Sequence, residues 1–193
     1  CPKRRKNGRA VGFVVGVPTY ALARSGALSW SRMMDRTQAF SRSAIFEDIS
    51  REVVEELCSR GREVAFKAGH RLFERDQNAD ELMIVQEGVV DLVFPVQVLT
   101  VTREVTMESV QPGDVVAWSA LVSPNRFTLS ARCASECVLM ALSRDHVYAF
   151  FETDPETGYL FMRNLAGVIG RRLQAMQTMW VRELQATAMR RME

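Results

Sequence analysis

The sequence predicts a mainly β protein with flanking helices: an eight-stranded antiparallel jelly-roll barrel followed by one long C-terminal helix. Three observations carry this expectation. Between Arg62 and Leu142, short apolar runs alternate with turn residues at the spacing of an antiparallel barrel or jelly roll. From Tyr159 onward, Leu165, Ile169, Leu173, Met176, Trp180, Leu184 and Thr187 recur three or four apart with no proline among them. The length, 193 residues, suits one domain plus extensions and leaves enough mass for a real core.

Residues 1–34 differ from the rest. A basic cluster from Lys3 to Lys6 precedes a largely apolar run ending in Ala21-Leu22-Ala23, the order of a secretory signal. Gly12, Gly16 and Pro18 interrupt that run, so the segment is expected to be a disordered leader or an overrun ahead of a start near Met33 or Met34. A β-roll is expected over 40–152. Ser50 is positioned to cap a helix whose Glu52, Glu55 and Glu56 suit its positive end and whose Ile49, Val53, Val54 and Leu57 form its apolar stripe. Gly61 ends it. Strands are expected over Arg62–Lys67, Arg71–Glu74, Leu82–Gln86, Val89–Pro95, Val98–Met107, Val115–Val116, Phe127–Ala131 and Val138–Leu142. Ser143 should cap a helix over Arg144–Phe151, and Asp154-Pro155-Glu156 has the order of a second helix start. The segment 154–193 should be the long helix. Its stripe is too extended to bury against the barrel alone, so it is expected to pair with a second copy across a two-fold axis.

The chemistry concentrates between Gly113 and Ala131. Pro112-Gly113-Asp114 is turn chemistry, Ala117, Ser119 and Ala120 permit close approach, and Arg126 follows a Ser123-Pro124-Asn125 turn. A short helix start with free N–H groups and an arginine fork are two common ways to hold a phosphate. The plain alternative for Arg126 is an ordinary surface arginine.

Four further stretches, in order, resemble the cyclic nucleotide-binding domain of the catabolite-activator and FNR superfamily. Phe66-Lys-Ala-Gly-His-Arg-Leu-Phe73 is similar to its F-x-x-G-x-x-I-F, and Ala79-Asp-Glu-Leu-Met-Ile-Val-Gln-Glu-Gly88 to its A-D-x-L-Y-x-I-x-x-G. Gly113-Asp114 opens its phosphate-binding cassette, and Arg171-Arg-Leu-Gln174 resembles the start of its dimer helix. The resemblance covers about residues 40–182. It implies a ligand site from Val116, Ala117, Trp118, Ser119, Ala120, Arg126, Phe127 and Thr128, with Met176 and Gln177 of the long helix facing the base. The departures imply altered specificity. Trp118 stands where the family has a Glu that accepts the ribose hydroxyl; an indole can stack and donate but cannot accept. Phe127 replaces the hydroxyl residue beside Arg126, and Asp76 a usual turn glycine.

Other function classes fit less well. Two histidines, His70 and His146, are too few for a cupin-type metal site, and no P-loop or nucleophile–histidine pairing is present. Net charge is +2, and residues 1–9 carry five of the basic side chains, which argues against nucleic acid as a direct partner. No winged-helix pattern follows the long helix before Glu193. Four cysteines make no stapled scaffold, so a reduced, cytoplasmic protein is expected; Cys133 and Cys137 flank Ala-Ser-Glu, a turn that would set them facing across two strands, and a redox or iron–sulfur role is the weaker alternative. No apolar run is long enough to span a bilayer. The expectation is therefore a non-enzymatic, homodimeric ligand-sensing domain with no bound cofactor beyond a cyclic nucleotide or other small anionic ligand. Its alternatives are the sensory half of a transcription regulator truncated before its DNA-binding domain, and a ligand-free dimerisation scaffold.

Overall fold

The computed structural model describes residues 43–190. The expected leader over 1–34 and the last three positions of the expected helix lie outside the described residues. A single 3-10 turn at Ala44–Phe46 leads into helix α1 (Arg51–Ser59). Strands β1 (Arg62–Phe66), β2 (Arg71–Phe73), β3 (Glu81–Glu87), β4 (Val90–Val98), β5 (Val101–Val110) and β6 (Val115–Val116) follow. After a second 3-10 turn at Trp118–Leu121 come β7 (Ser130–Cys133), β8 (Cys137–Ser143), α2 (Arg144–Thr153) and α3 (Pro155–Arg190).

The eight strands form two antiparallel sheets, ordered β1-β8-β3-β6 and β2-β7-β4-β5. The expected eight-stranded jelly roll is present, but it is not closed into a barrel: among the described residues, no ladder joins one sheet to the other. β1 and β6 stay as the edges of one sheet and β2 and β5 as the edges of the other, so the hydrogen bonding does not run around a closed circumference.

Strand β3 shows why the core has two parts. Side chains alternate across a pleated strand. Met83 and Val85 enter a cluster between the sheets with Val90, Val110 and Leu139, whereas Leu82 and Ile84 enter a second with Leu57, Leu142, Phe161 and Leu165 of the helices and β8. A strand buried on both faces reads as an unbroken apolar run, as Leu82–Val85 does.

Several strand boundaries differ from expectation, β5 by three residues at each end (Val101–Val110 rather than Val98–Met107). β4 continues through Pro95 to a turn at Leu99, which is 93% exposed with φ 53°. Pairing with β7 stops at Val93, so Pro95 is bonded on one side only and its missing N–H leaves no gap there. β7 starts at Ser130 rather than Phe127, because Phe127 and Thr128 remain in the preceding loop, tied to the roll through a bridge between Asn78 and Arg126.

The helix starts follow their caps. Ser50 Oγ accepts from Val53 N at 3.4 Å, and Ser143 Oγ from His146 N at 3.2 Å. Asp154 accepts from Thr157 N at 3.1 Å and from its hydroxyl at 2.6 Å, and these bonds hold its carboxyl below the usual range. Thus α3 begins at Pro155, at the Asp154-Pro155-Glu156 start read from the sequence. Its first third is anchored: Asn164 is buried and donates to the carbonyls of Glu47 and Ile45 at 2.7 and 3.3 Å. Beyond Arg172 every described residue of α3 is exposed.

Candidate functional site

A cavity of about 900 Å³ lies between the roll and α3. Its sheet wall includes Phe73, Leu92 and Phe94; the loop before β7 adds Phe127, Thr128 and Leu129. The turn after β6 adds Ala117, Trp118 and Ser119. The helix wall runs from Val168 to Trp180 and includes Arg171, Arg172 and Met176.

Local backbone builds the turn wall. Ala117 adopts φ 65°, and this left-handed residue ends β6 and aims the chain into the 3-10 turn. Asn125, also left-handed at φ 57°, donates its side-chain amide to Ala120 O at 2.9 Å and Ser119 O at 3.4 Å. The 117–125 segment is thereby closed on itself. Ser119 is buried, and Trp118 is half-buried against the helix-side cluster.

The expected ligand residues separate into two groups. Ala117, Trp118, Ser119, Phe127, Thr128 and Met176 line the cavity. Val116 and Ala120 are fully buried in the core between the sheets. Gln177 faces a separate shallow groove along α3 with Gln174 and Val181. Arg126 is absent from the cavity lining: its guanidinium donates to Asp76 O at 2.6 Å, bracing the turn in which Asp76 takes φ 65°. Phe127 is buried and stacks on Phe73, centroids 3.7 Å apart and planes 11° from parallel.

Several lining groups were not singled out from sequence. Arg172 is 13% exposed; its Nε meets Glu108 of β5 at 3.0–3.1 Å and its Nη2 donates to Val115 O at 2.6 Å. It thus ties α3 to the roll beside the cavity mouth. Arg172 sits within the quoted Arg171-Arg-Leu-Gln174 motif, but nothing in that motif reveals Glu108, since the pair is far apart in sequence. Ser43 also lines the cavity and is buried.

The histidines take no part. His70 stacks on Phe66 at 4.6 Å, and His146 Nε2 lies 3.0 Å from Leu57 O. Among the described residues no cluster of His, Cys, Asp and Glu is placed to hold a metal. No helix among them is long and apolar enough to cross a membrane. Cys58, Cys133 and Cys137 are buried free thiols, and burial pushes Cys58 and Cys133 up to about 12.

Residues 63–154 match the family model of the cyclic nucleotide-binding domain. The chain carries a domain of that family. The fold of this cyclic nucleotide-binding domain recurs in solved structures. The N-terminal domain of a transcriptional regulator from Streptomyces coelicolor A3(2) is 24% identical with a TM-score of 0.60, covering 69% of this chain and 93% of its own. The catabolite activator protein of Thermus thermophilus is 24% identical with a TM-score of 0.60, covering 72% of this chain, which spans 62% of it. The c-di-GMP responsive global regulator CLP of Xanthomonas campestris is 15% identical with a TM-score of 0.61, covering 69% of this chain and 64% of its own. No curated protein matches. The family match ends at Asp154, so the cyclic nucleotide-binding domain supplies the sheet and turn walls of the cavity, and α3 beyond it supplies the remaining wall.

Proposed function

We propose that this chain is a non-enzymatic regulatory domain that senses a small nucleotide-like or other anionic ligand in the cavity between roll and α3. The observation that carries this is the shared lining: one cavity joins the 117–119 turn, the sheet wall and the long helix. A ligand there contacts both parts, so its binding energy can bias how α3 sits on the roll. The output surface is the distal helix, where Leu173, Trp180 and Leu184 are exposed on the stripe read from the sequence. A second copy of α3 buries that stripe in a homodimer.

Trp118 sets the specificity. It stands on the cavity wall and offers one donor and a stacking face, but no acceptor for a sugar hydroxyl. Cyclic AMP therefore binds weakly, since a polar group left without its partner costs about 1–3 kcal/mol. Arg126 engages Asp76 O through Nη1 only, and its guanidinium must turn from there to meet an anion in this cavity.

Isothermal titration of the protein with cyclic and linear nucleotides, alongside the Thr128→Trp variant, tests the proposal. Thr128 is exposed on the cavity wall, so an indole there fills the cavity without entering the core. A nucleotide that binds the native chain and fails with Thr128→Trp supports it. Failure of the whole panel selects the ligand-free scaffold. A second reading, the sensory half of a DNA-binding regulator, is favoured by the similarity over 93% of a regulator's N-terminal domain. A winged helix encoded after Glu193 selects it.

A further inference from the structure

We propose that the cavity holds an anionic amphiphile in one sense only, its charged head against Arg171 and Arg172 of α3 and its apolar body against the Phe73–Phe127 end of the roll. This rests on the ligand-sensing reading above and specifies the ligand class. The sheet wall offers apolar surface where a phosphate reader was expected. Phe73 and Phe127 are stacked ring on ring, with Leu92, Phe94 and Leu129 beside them, and none of these side chains donates a hydrogen bond. The guanidinium of Arg126 is turned to the Asp76 carbonyl and does not line this cavity.

The helix wall is the cationic one. Arg171 is exposed, lines the cavity and has no ion pair or hydrogen bond among the described residues. Arg172 is held by Glu108 and Val115 O, yet its third nitrogen, Nη1, is buried without a partner. The buried hydroxyl of Ser43, on the same lining, also lacks one. Buried polar atoms are nearly always satisfied, so two orphans on one cavity mark a place where an acceptor is wanted. The acids do not supply it. Glu108 is engaged by Arg172, and Asp114 accepts from the Gln111 amide of its own turn at 3.4 Å. An oxyanion with several acceptor oxygens answers both arginines together, and guanidinium suits carboxylate, sulfonate and phosphate alike.

Two fluorescent probes that differ by one charged group test this on the full chain. 8-Anilinonaphthalene-1-sulfonate carries the anion, and N-phenyl-1-naphthylamine is its uncharged counterpart. At low salt the sulfonate binds about three- to tenfold more tightly, a margin that added salt erodes because Arg171 is solvent-facing. Arg171→Gln and Arg172→Lys bring the sulfonate down toward its counterpart and leave the uncharged probe unmoved. Thr128→Trp removes both probes. Displacement of the sulfonate by 1-naphthyl phosphate or by 1-naphthoate shows which head group is preferred; displacement by neither overturns the proposal. An unchanged preference for the sulfonate in Arg171→Gln overturns it too, as does an equal loss in Arg126→Leu. Persistence of both probes in Thr128→Trp instead removes the cavity itself as the ligand site, and this inference with it.

Discussion

At the scale of single residues, the left-handed turn positions make the sharpest predictions. Asp76 pays a backbone cost at φ 65° that glycine does not, and its side chain makes only an exposed pair with Arg75. Asp76→Gly is expected to stabilise the fold by about 0.5 kcal/mol, read as a higher urea midpoint with an unchanged m-value. Arg126→Leu acts on the same turn from outside. It removes the bond to Asp76 O and lowers stability by about 1 kcal/mol in the same assay. The buried thiols follow a different rule. Burial raises Cys58 and Cys133 to about 12, so the neutral thiols contribute stability at neutral pH that is lost as pH rises from the ordinary thiol range toward about 12. Native protein at pH 8 should leave both unreacted by iodoacetamide, and urea should release them together.

Elements are held by junctions more than by propensity. Gly88 joins β3 to β4 at φ 83°, and a Cβ there would lie 2.1 Å from Glu136 O and 2.9 Å from Cys137 Sγ. Gly88→Ala therefore adds a backbone clash to a strained conformation and should cost more than about 3 kcal/mol, read as a clearly lowered thermal midpoint. The start of α3 is set by Asp154, whose lowered carboxyl pKa comes first from the Thr157 hydroxyl and next from the Thr157 amide. A depressed carboxylate contributes stability above its unfolded value, and that contribution disappears as pH falls through the folded one. Thr157→Val should shrink the acid sensitivity of the helix signal below about pH 4. Asn164 has no such titration, but Asn164→Leu strands the carbonyls of Glu47 and Ile45 and loosens the N-terminal turn from α3.

For the molecule as a unit, α3 serves two purposes along its length. Up to Arg172 it is part of the roll, bonded to β5 and β6. Past that point Leu173, Met176, Trp180 and Leu184 are exposed, the first three also along the open cavity wall, with Trp180 67% exposed. A contiguous apolar stripe of this kind marks an interaction surface. Chains ending after Ala175 keep the Arg172 bonds and should remain folded but monomeric in sedimentation, whereas the intact chain sediments as a dimer at micromolar concentration. An intact chain that is already monomeric removes the homodimer.

Much of this organisation was legible in the sequence, because local signals are enough wherever a structure depends on near neighbours. Ser50, Ser143 and Asp154-Pro155 marked three helix starts through capping chemistry confined to one turn. Eight apolar runs between turn residues marked eight strands, and the ordered motifs marked the domain family. The tertiary structure alone decided matters that rest on contacts remote in sequence. Whether the strands close into a barrel depends on whether edge strands meet a partner from the other sheet, and β1, β6, β2 and β5 remain edges. Which way a guanidinium turns depends on the nearest unmatched carbonyl or carboxylate: Arg126 found Asp76 O, fifty residues away, and Arg172 found Glu108 and Val115 O, sixty-four and fifty-seven away. Spacing along a chain shows that a charge exists, but its electrostatic partner is chosen in three dimensions, where distance and desolvation set the energy.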